Sequence, residues 1–214
     1  MMYWISRSIL EIFLRIFFKV RFSGRENIPD PPYMIVSNHT SLLDPPLVGV
    51  ACKKNSVDFL AKEELFNIPV LGVWTRSVNC ICVKRGASNV GGLKEALRRI
   101  HKGRSVCIFP EGTRSADGSL QEAKRGVGFL IARAGVPVVP VYVDGSRAAF
   151  PKSGSMKPGT RIDVFIGKPI LPEDFLSGKD YGKKDYEAVT NMIMERIALV
   201  KDTADYPNKY GQLR

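Results

Sequence analysis

Histidine is nearly missing from this 214-residue chain, which has only two, His39 and His101. Cysteine is sparse too. Cys52, Cys80, Cys82 and Cys107 show no CxxC spacing and no adjacent histidine, which excludes a zinc or thioredoxin-like centre and leaves no metal site to expect. Cys80 and Cys82, two apart in an apolar stretch, point to one face of a predicted strand and read as small core fillers in a reducing compartment. A G-x-S-x-G nucleophile elbow is absent, so an acyl-enzyme on an activated serine is not expected. From Arg85 to Arg104 there is no aromatic residue, which argues against a base-stacking platform and hence against nucleic acid as a partner. No uninterrupted apolar run approaches the roughly 20 residues needed to cross a bilayer.

What is present is positive charge: 32 Lys and Arg against 21 Asp and Glu, a net +11. The stretch Arg76–Arg133 holds twelve basic and four acidic residues and so supplies eight of that excess. Such a field attracts anions: phosphorylated lipid heads, an anionic phospholipid membrane surface, coenzyme A, an acidic carrier protein or nucleic acid. The length fits one domain able to bury a good core, with a short appendage at each end.

Residues 1–21 are rich in Trp, Phe, Ile and Leu, yet Arg7, Glu11, Arg15 and Lys19 recur every four residues. That spacing lays a polar stripe along a helix and interrupts any apolar core that a secretory signal or a membrane span requires. Trp4, Ile5, Ile9, Ile12, Phe13, Ile16, Phe17 and Val20 cover the other side, the pattern of an amphipathic helix lying on a membrane surface. The competing reading is a helix that packs its apolar face on the domain's own core. Residues 22–201 form the expected domain and 202–214 a polar, loosely held tail.

Within the domain, β-type and helical patterns alternate, which predicts an α/β fold with a largely buried sheet. The predicted strands are Lys19–Ser23, Met34–Ser37, Asp58–Ala61, Val78–Val83, Val106–Phe109, Val138–Val143 and Ile162–Ile166. The predicted helices are Pro45–Cys52, Val90–His101, Ala123–Ala134 and Tyr186–Lys201, with Gly103 and Gly135 as stops after the second and third.

Met34–Ser37 reads as a buried strand, so Asn38-His39 emerges at its carboxyl end, where α/β proteins place their chemistry. Five residues on stands Asp44, followed by Pro45-Pro46, a setting that suits a helix cap as well as an orienting carboxylate. Residues five apart on a continuous helix diverge by about 140°. His39 and Asp44 therefore meet only if Thr40-Ser41-Leu42-Leu43 forms a turn. In that case Asp44 fixes one imidazole tautomer and the other ring nitrogen is free to take a proton from an alcohol. Downstream, Ile108-Phe109-Pro110-Glu111-Gly112-Thr113-Arg114-Ser115 runs from a short apolar strand into a turn. There Arg114 suits a bidentate phosphate contact, Gly112 allows close backbone approach and Thr113 adds a hydroxyl donor. His101, at a helix carboxyl end, is given no catalytic role.

Together, the Asn38-His39…Asp44-Pro45 and Phe109-Pro110-Glu111-Gly112-Thr113-Arg114 runs resemble the glycerolipid acyltransferase family, the glycerol-phosphate and lysophosphatidate acyltransferases. Phe59-Leu60-Ala61-Lys62-Glu63-Glu64-Leu65, Val83-Lys84-Arg85-Gly86 and Val136-Pro137-Val138-Val139-Pro140-Val141 look like its other blocks. The resemblance spans about Phe22 to Gly167. It implies a mixed, mostly parallel sheet flanked by helices, with His39 and Asp44 catalytic. It further implies that a fatty acyl group passes from acyl-CoA or an acyl carrier protein to the free hydroxyl of 1-acyl-sn-glycerol 3-phosphate, giving phosphatidic acid. No cofactor is involved beyond that thioester co-substrate. By the same resemblance Glu111, Gly112, Thr113 and Arg114 bind the glycerol phosphate of a lysophosphatidate acceptor, with Arg85 and Lys84 adding to the phosphate pocket. Lys124 and Arg125 are further phosphate candidates. Lys84 departs from the family pattern, which often has an acidic residue there. The implied location is peripheral, at the cytoplasmic face of the cell membrane. Alternatives are an acyltransferase for glycerol 3-phosphate or another lysophospholipid and, in a different class, a non-catalytic module binding anionic lipid or nucleic acid.

Overall fold

The computed structural model describes residues 2–84, 90–124, 126–175 and 182–205. Its strands are β1 (Lys19–Ser23), β2 (Met34–Ser37), β3 (Val57–Lys62), β4 (Ile81–Val83), β5 (Ser105–Ile108), β6 (Val138–Asp144) and β7 (Arg161–Ile166). They form one sheet in the order β1-β7-β6-β2-β5-β3-β4, with β6–β7 antiparallel and every other pair parallel. The helices are α1 (Met2–Phe17), α2 (Asp44–Ala51), α3 (Glu63–Phe66), α4 (Leu71–Ser77), α5 (Val90–Ile100), α6 (Gly126–Ala134), α7 (Ser146–Ala149), α8 (Pro172–Phe175) and α9 (Lys183–Asp205). The mixed, mostly parallel sheet flanked by helices is the architecture the sequence implied.

The sheet is buried on both faces, as parallel strands require. Side chains alternate along each strand. Ile35, Cys107, Val139 and Val141 join the core beneath α1 and α2, whereas Met34, Val36, Val106, Ile108 and Val138 join the core shared with α5, α6 and α9. All four residues of β2 are buried, so its carboxyl end is held from both sides.

Three sequence expectations change here. The amino-terminal helix is shorter than residues 1–21: α1 stops at Phe17, and the predicted strand Lys19–Ser23 pairs with β7 in the sheet. Lys19 therefore does not belong to the helical stripe. α1 also has two faces. Ser6 and Leu14 are buried, and Leu10 and Phe13 pack on the core, while Ile5, Ile9, Ile12 and Ile16 remain 46%, 61%, 58% and 72% exposed in one stripe. Arg7 and Glu11 turn toward the domain, Arg7 donating to the Lys53 carbonyl at 3.3 Å.

The second change concerns Val78–Val83. α4 occupies the chain to Ser77, Asn79 takes φ +61°, and the strand starts only at Ile81. Cys80 is thus half-buried outside the strand and Cys82 is exposed, so Cys82 is no core filler. α3 and α4 escaped the sequence reading because Pro69 interrupts a segment too short to show a helical period. Third, α9 runs on to Asp205, so residues 202–205 are helical and not tail. Residues 206–214 lie outside the described residues. Among the described residues no helix is long and apolar enough to cross a membrane.

Candidate active site

β6, β2 and β5 are adjacent and parallel, so their carboxyl ends open on one sheet edge. The three strands deliver Ser146, His39 and Glu111 respectively, each within three residues of a strand end. Asn38 secures the junction: its Nδ2 donates to the Val143 carbonyl at 3.0 Å and its Oδ1 accepts the Val143 N–H at 2.7 Å. The side chain thereby continues the β2–β6 pairing one residue past the strand.

The turn between His39 and Asp44 forms, and Asp44 itself builds it. Its Oδ2 accepts the N–H groups of Thr40 at 2.7 Å and Ser41 at 2.8 Å, and lies 2.8 Å from His39 Nδ1. Its Oδ1 accepts the Ser146 hydroxyl at 2.5 Å. The carboxylate is 0% exposed and sits at the first residue of α2, where the helix dipole favours negative charge. Asp44 is therefore not the helix cap: Leu43 takes that position with no side-chain cap bond, and the Asp44 carboxylate serves the turn that precedes α2. With Nδ1 as donor, the lone pair on Nε2 is the basic one. The tautomer follows from Asp44 being an acceptor.

The 111–115 loop holds the backbone of His39 at both of its polar groups. Glu111 Oε1 accepts the His39 N–H at 2.9 Å, and the Ser115 N–H donates to the His39 carbonyl at 2.7 Å. Phe109 stacks on the imidazole with centroids 4.2 Å apart. Glu111 is 2% exposed, and its second oxygen accepts the Gln121 N–H at 3.2 Å. Burial pushes its carboxyl above the usual glutamate range, against the two amide bonds, which lower it.

Gly112 has φ +67°, a conformation glycine adopts without strain, and an added Cβ would lie 3.0 Å from Lys124 Cγ. Lys124 belongs to a strap ahead of α6, its N–H donating to the Pro110 carbonyl at 2.9 Å. It is therefore not at a helix start as the sequence predicted. Thr113 is exposed and Arg114 half-buried. Among the described residues no carboxylate pairs with Arg114.

The structure thus brings together His39, Asp44, Glu111, Gly112, Thr113, Arg114 and Lys124. Lys84 follows β4 on the same edge but three strands from β2, a lateral separation of about 14 Å at the usual strand spacing. Arg85 and Arg125 lie outside the described residues. Part of the basic stretch serves another purpose: Arg99 and Arg104 bind the buried carboxylate of Asp58, near the amino end of β3, and Arg98 binds Glu95. Sequence reasoning missed Ser146, Phe109, Gln121 and Ser115 as site residues. Their placement depends on which strands are neighbours, which no local pattern shows.

The fold and this edge define an α/β protein in which His39 and the buried Asp44, in hydrogen-bond contact, stand beside an arginine-bearing turn. The comparisons place it further. The family profile described as Acyltransferase matches residues 19–144. The chain is 38% identical over 173 residues to the chloroplastic 1-acyl-sn-glycerol-3-phosphate acyltransferase BAT2 of Brassica napus, covering 78% of this chain and 48% of that one. It is 26% identical over 207 residues to the 1-acyl-sn-glycerol-3-phosphate acyltransferase of Bacillus subtilis (strain 168), covering 95% and 99%. The crystal structure of the 1-acyl-sn-glycerophosphate (LPA) acyltransferase PlsC from Thermotoga maritima superposes with a TM-score of 0.72 at 30% identity, over 91% of this chain and 79% of that one. The chain belongs to the acyltransferase family. It spans about half the length of the plant and algal relatives it matches, 48%, 46% and 48%.

Proposed function

We propose that this protein transfers a fatty acyl group from a thioester to the free hydroxyl of 1-acyl-sn-glycerol 3-phosphate, giving phosphatidic acid. The observation that carries this reading is the 2.8 Å contact between His39 Nδ1 and the buried Asp44 carboxylate, at a sheet edge shared with an arginine lacking a carboxylate partner among the described residues. As the acceptor oxygen attacks the thioester carbonyl, Nε2 of His39 takes the hydroxyl proton, and Asp44 stabilises the imidazolium formed. The C–O bond forms and the C–S bond breaks. His39 returns its proton to the departing thiolate, leaving an ester and a free thiol. Arg114 holds the acceptor's phosphate, with Thr113 and the Lys124 ammonium completing the seat and Lys84 further out along the edge. The donor in this reading is acyl-CoA or an acylated carrier protein, both anionic and both suited to a chain of net +11. No metal or cofactor takes part.

An acceptor carrying its own acyl chain resides in a bilayer. The exposed isoleucine stripe of α1 is accordingly read as the contact with an anionic membrane surface, the helix's other face fastening it to the domain. The four free cysteines support the cytoplasmic side, where thiols stay reduced. The test presents purified protein in detergent micelles with an acyl thioester and, in turn, lysophosphatidate, glycerol 3-phosphate and a lysophospholipid without a phosphomonoester, and reads thiol release. Turnover is expected with lysophosphatidate and to depend on Arg114, with Arg114→Ala raising KM or lowering kcat far more for that acceptor than for a neutral one. Equal effects on both would make Arg114 structural, and faster turnover with either other acceptor would overturn the assignment.

A further inference from the structure

Ser146 is fully buried, and neither Asn38-His39…Asp44 nor Glu111-Gly112-Thr113-Arg114 contains it. Its Oγ lies 2.5 Å from Asp44 Oδ1 and 3.0 Å from Thr40 Oγ1. A carboxylate can only accept, so the single hydroxyl proton of Ser146 points at Asp44. The Thr40 hydroxyl is then the donor to Ser146. On the far oxygen of Asp44 the same logic makes Thr40 N–H, Ser41 N–H and His39 Nδ1–H donors. One direction of protons, from Thr40 through Ser146 to Asp44, is thereby fixed throughout a buried network, and it is compatible with one orientation of the carboxylate.

We infer that Ser146 is a positioning residue for the base. Resting on the acyl-transfer reading, its hydroxyl anchors the rear oxygen of Asp44 so that the front oxygen holds His39 in the tautomer with Nε2 free. Without that hydroxyl, Oδ1 is left in a buried site short of a donor. The carboxylate then loses its rear anchor, and its hold on the orientation of the imidazole is loosened. The backbone of the Ser146 turn does not depend on the hydroxyl: the Ala149 N–H donates to the Gly145 carbonyl and the Phe150 N–H to the Ser146 carbonyl. Ser146→Ala therefore keeps these bonds.

The experiment compares wild type, Ser146→Ala and Ser146→Thr, each alone and with Asp44→Asn. Ser146→Ala is expected to lower kcat about tenfold with KM within about twofold, the loss of one hydrogen bond to a charged group. Ser146→Thr, which keeps the hydroxyl, is expected to retain most of the activity. In the Asp44→Asn background, Ser146→Ala is expected to change kcat less than about twofold, because its effect runs through the carboxylate. Equal fold losses in both backgrounds, or a Ser146→Ala enzyme as fast as wild type, would overturn the inference. Nitrogen-15 spectra of the imidazoles give a reading independent of turnover, with only His39 and His101 to assign. His39 is expected as a single Nδ1–H tautomer in wild type and Ser146→Thr and as a mixture in Ser146→Ala. Absence of turnover in wild type would sink the acyl-transfer reading, while an unchanged tautomer in Ser146→Ala would sink this one.

Discussion

Asp44→Asn separates the structural from the electrostatic use of the carboxylate. Asp44 receives protons from His39, Thr40 and Ser41 on Oδ2 and from Ser146 on Oδ1. An asparagine keeps the fold only with its carbonyl in the place of Oδ2, since its NH2 there would face three donors. The NH2 then points at Ser146, whose hydroxyl rotates to accept and turns its own proton elsewhere. Charge-assisted bonds become neutral ones, a stability loss of about 1–3 kcal/mol. The His39 tautomer survives, because the amide oxygen still accepts from Nδ1. What disappears is the attraction between carboxylate and imidazolium in the transition state. For charge centres about 4 Å apart at an effective dielectric constant near 20 it is about 4 kcal/mol, or about a 10³-fold fall in kcat. Thiol release under saturating acceptor measures it, with circular dichroism checking the fold. KM is expected to stay close to wild type because the phosphate seat is untouched. A folded Asp44→Asn enzyme retaining more than about a tenth of wild-type kcat would show that Asp44 only holds the turn before α2.

Four further outcomes follow from the same geometry. Glu111→Gln, though nearly isosteric, turns a donor toward one of two buried N–H groups that both need an acceptor; thermal unfolding is expected to show a loss of about 1–3 kcal/mol, and a neutral result would deny the clamp on His39. The raised carboxyl of Glu111 means its own contribution to stability is largest below the ordinary glutamate pKa and is lost as pH rises through the raised value, so that pH dependence should vanish in Glu111→Gln. In native protein a thiol reagent should modify Cys82 quickly and alone of the four cysteines: burial pushes the Cys52 and Cys80 thiols up to about 12 and Cys107 well above its ordinary value. Rapid loss of a second thiol would contradict the start of β4 at Ile81. Finally, Ile9→Glu with Ile16→Glu should leave stability intact and weaken sedimentation with anionic liposomes by about tenfold or more, each largely exposed isoleucine being worth about 1–2 kcal/mol on burial; unchanged sedimentation would remove α1 from the membrane contact.

The sheet strands were largely legible in the sequence because buried parallel strands read as continuous Val and Ile runs between glycine and proline punctuation. β2 and β7 agree with expectation to within a residue, and β6 is one residue longer. Helix α5 was legible from its amphipathic period and from Gly103 behind it, where φ is +81°. The chain between Lys62 and Ile81 was not, since Val70 at φ +66° and Asn79 at φ +61° put turns where β-branched and polar residues give no glycine signal. At the site, the pair His39 and Asp44 was visible as spacing, but whether it meets depended on a turn that Asp44 stabilises through Thr40 and Ser41. Ser146 was invisible for a different reason. It lies 102 residues from Asp44 and reaches it only because β6 neighbours β2 in parallel.

The clamp on His39 links the two halves of the proposed reaction. The loop that carries Arg114, the phosphate anchor of that proposal, also supplies Glu111 to the His39 N–H and the Ser115 N–H to the His39 carbonyl. Two hydrogen bonds thus tie the proposed anchor's loop to the backbone of the proposed base. A phosphate seated on Arg114 would draw on that tie: the hydroxyl to be acylated is fixed by the same loop that fixes the group receiving its proton. Binding energy far from the reacting atoms is then expressed as orientation, which can lower a barrier more than extra affinity does. It follows that shortening the acceptor by removing its phosphate should lower kcat as well as raise KM. An acceptor held only by its acyl chain would gain affinity from a longer chain but not turnover.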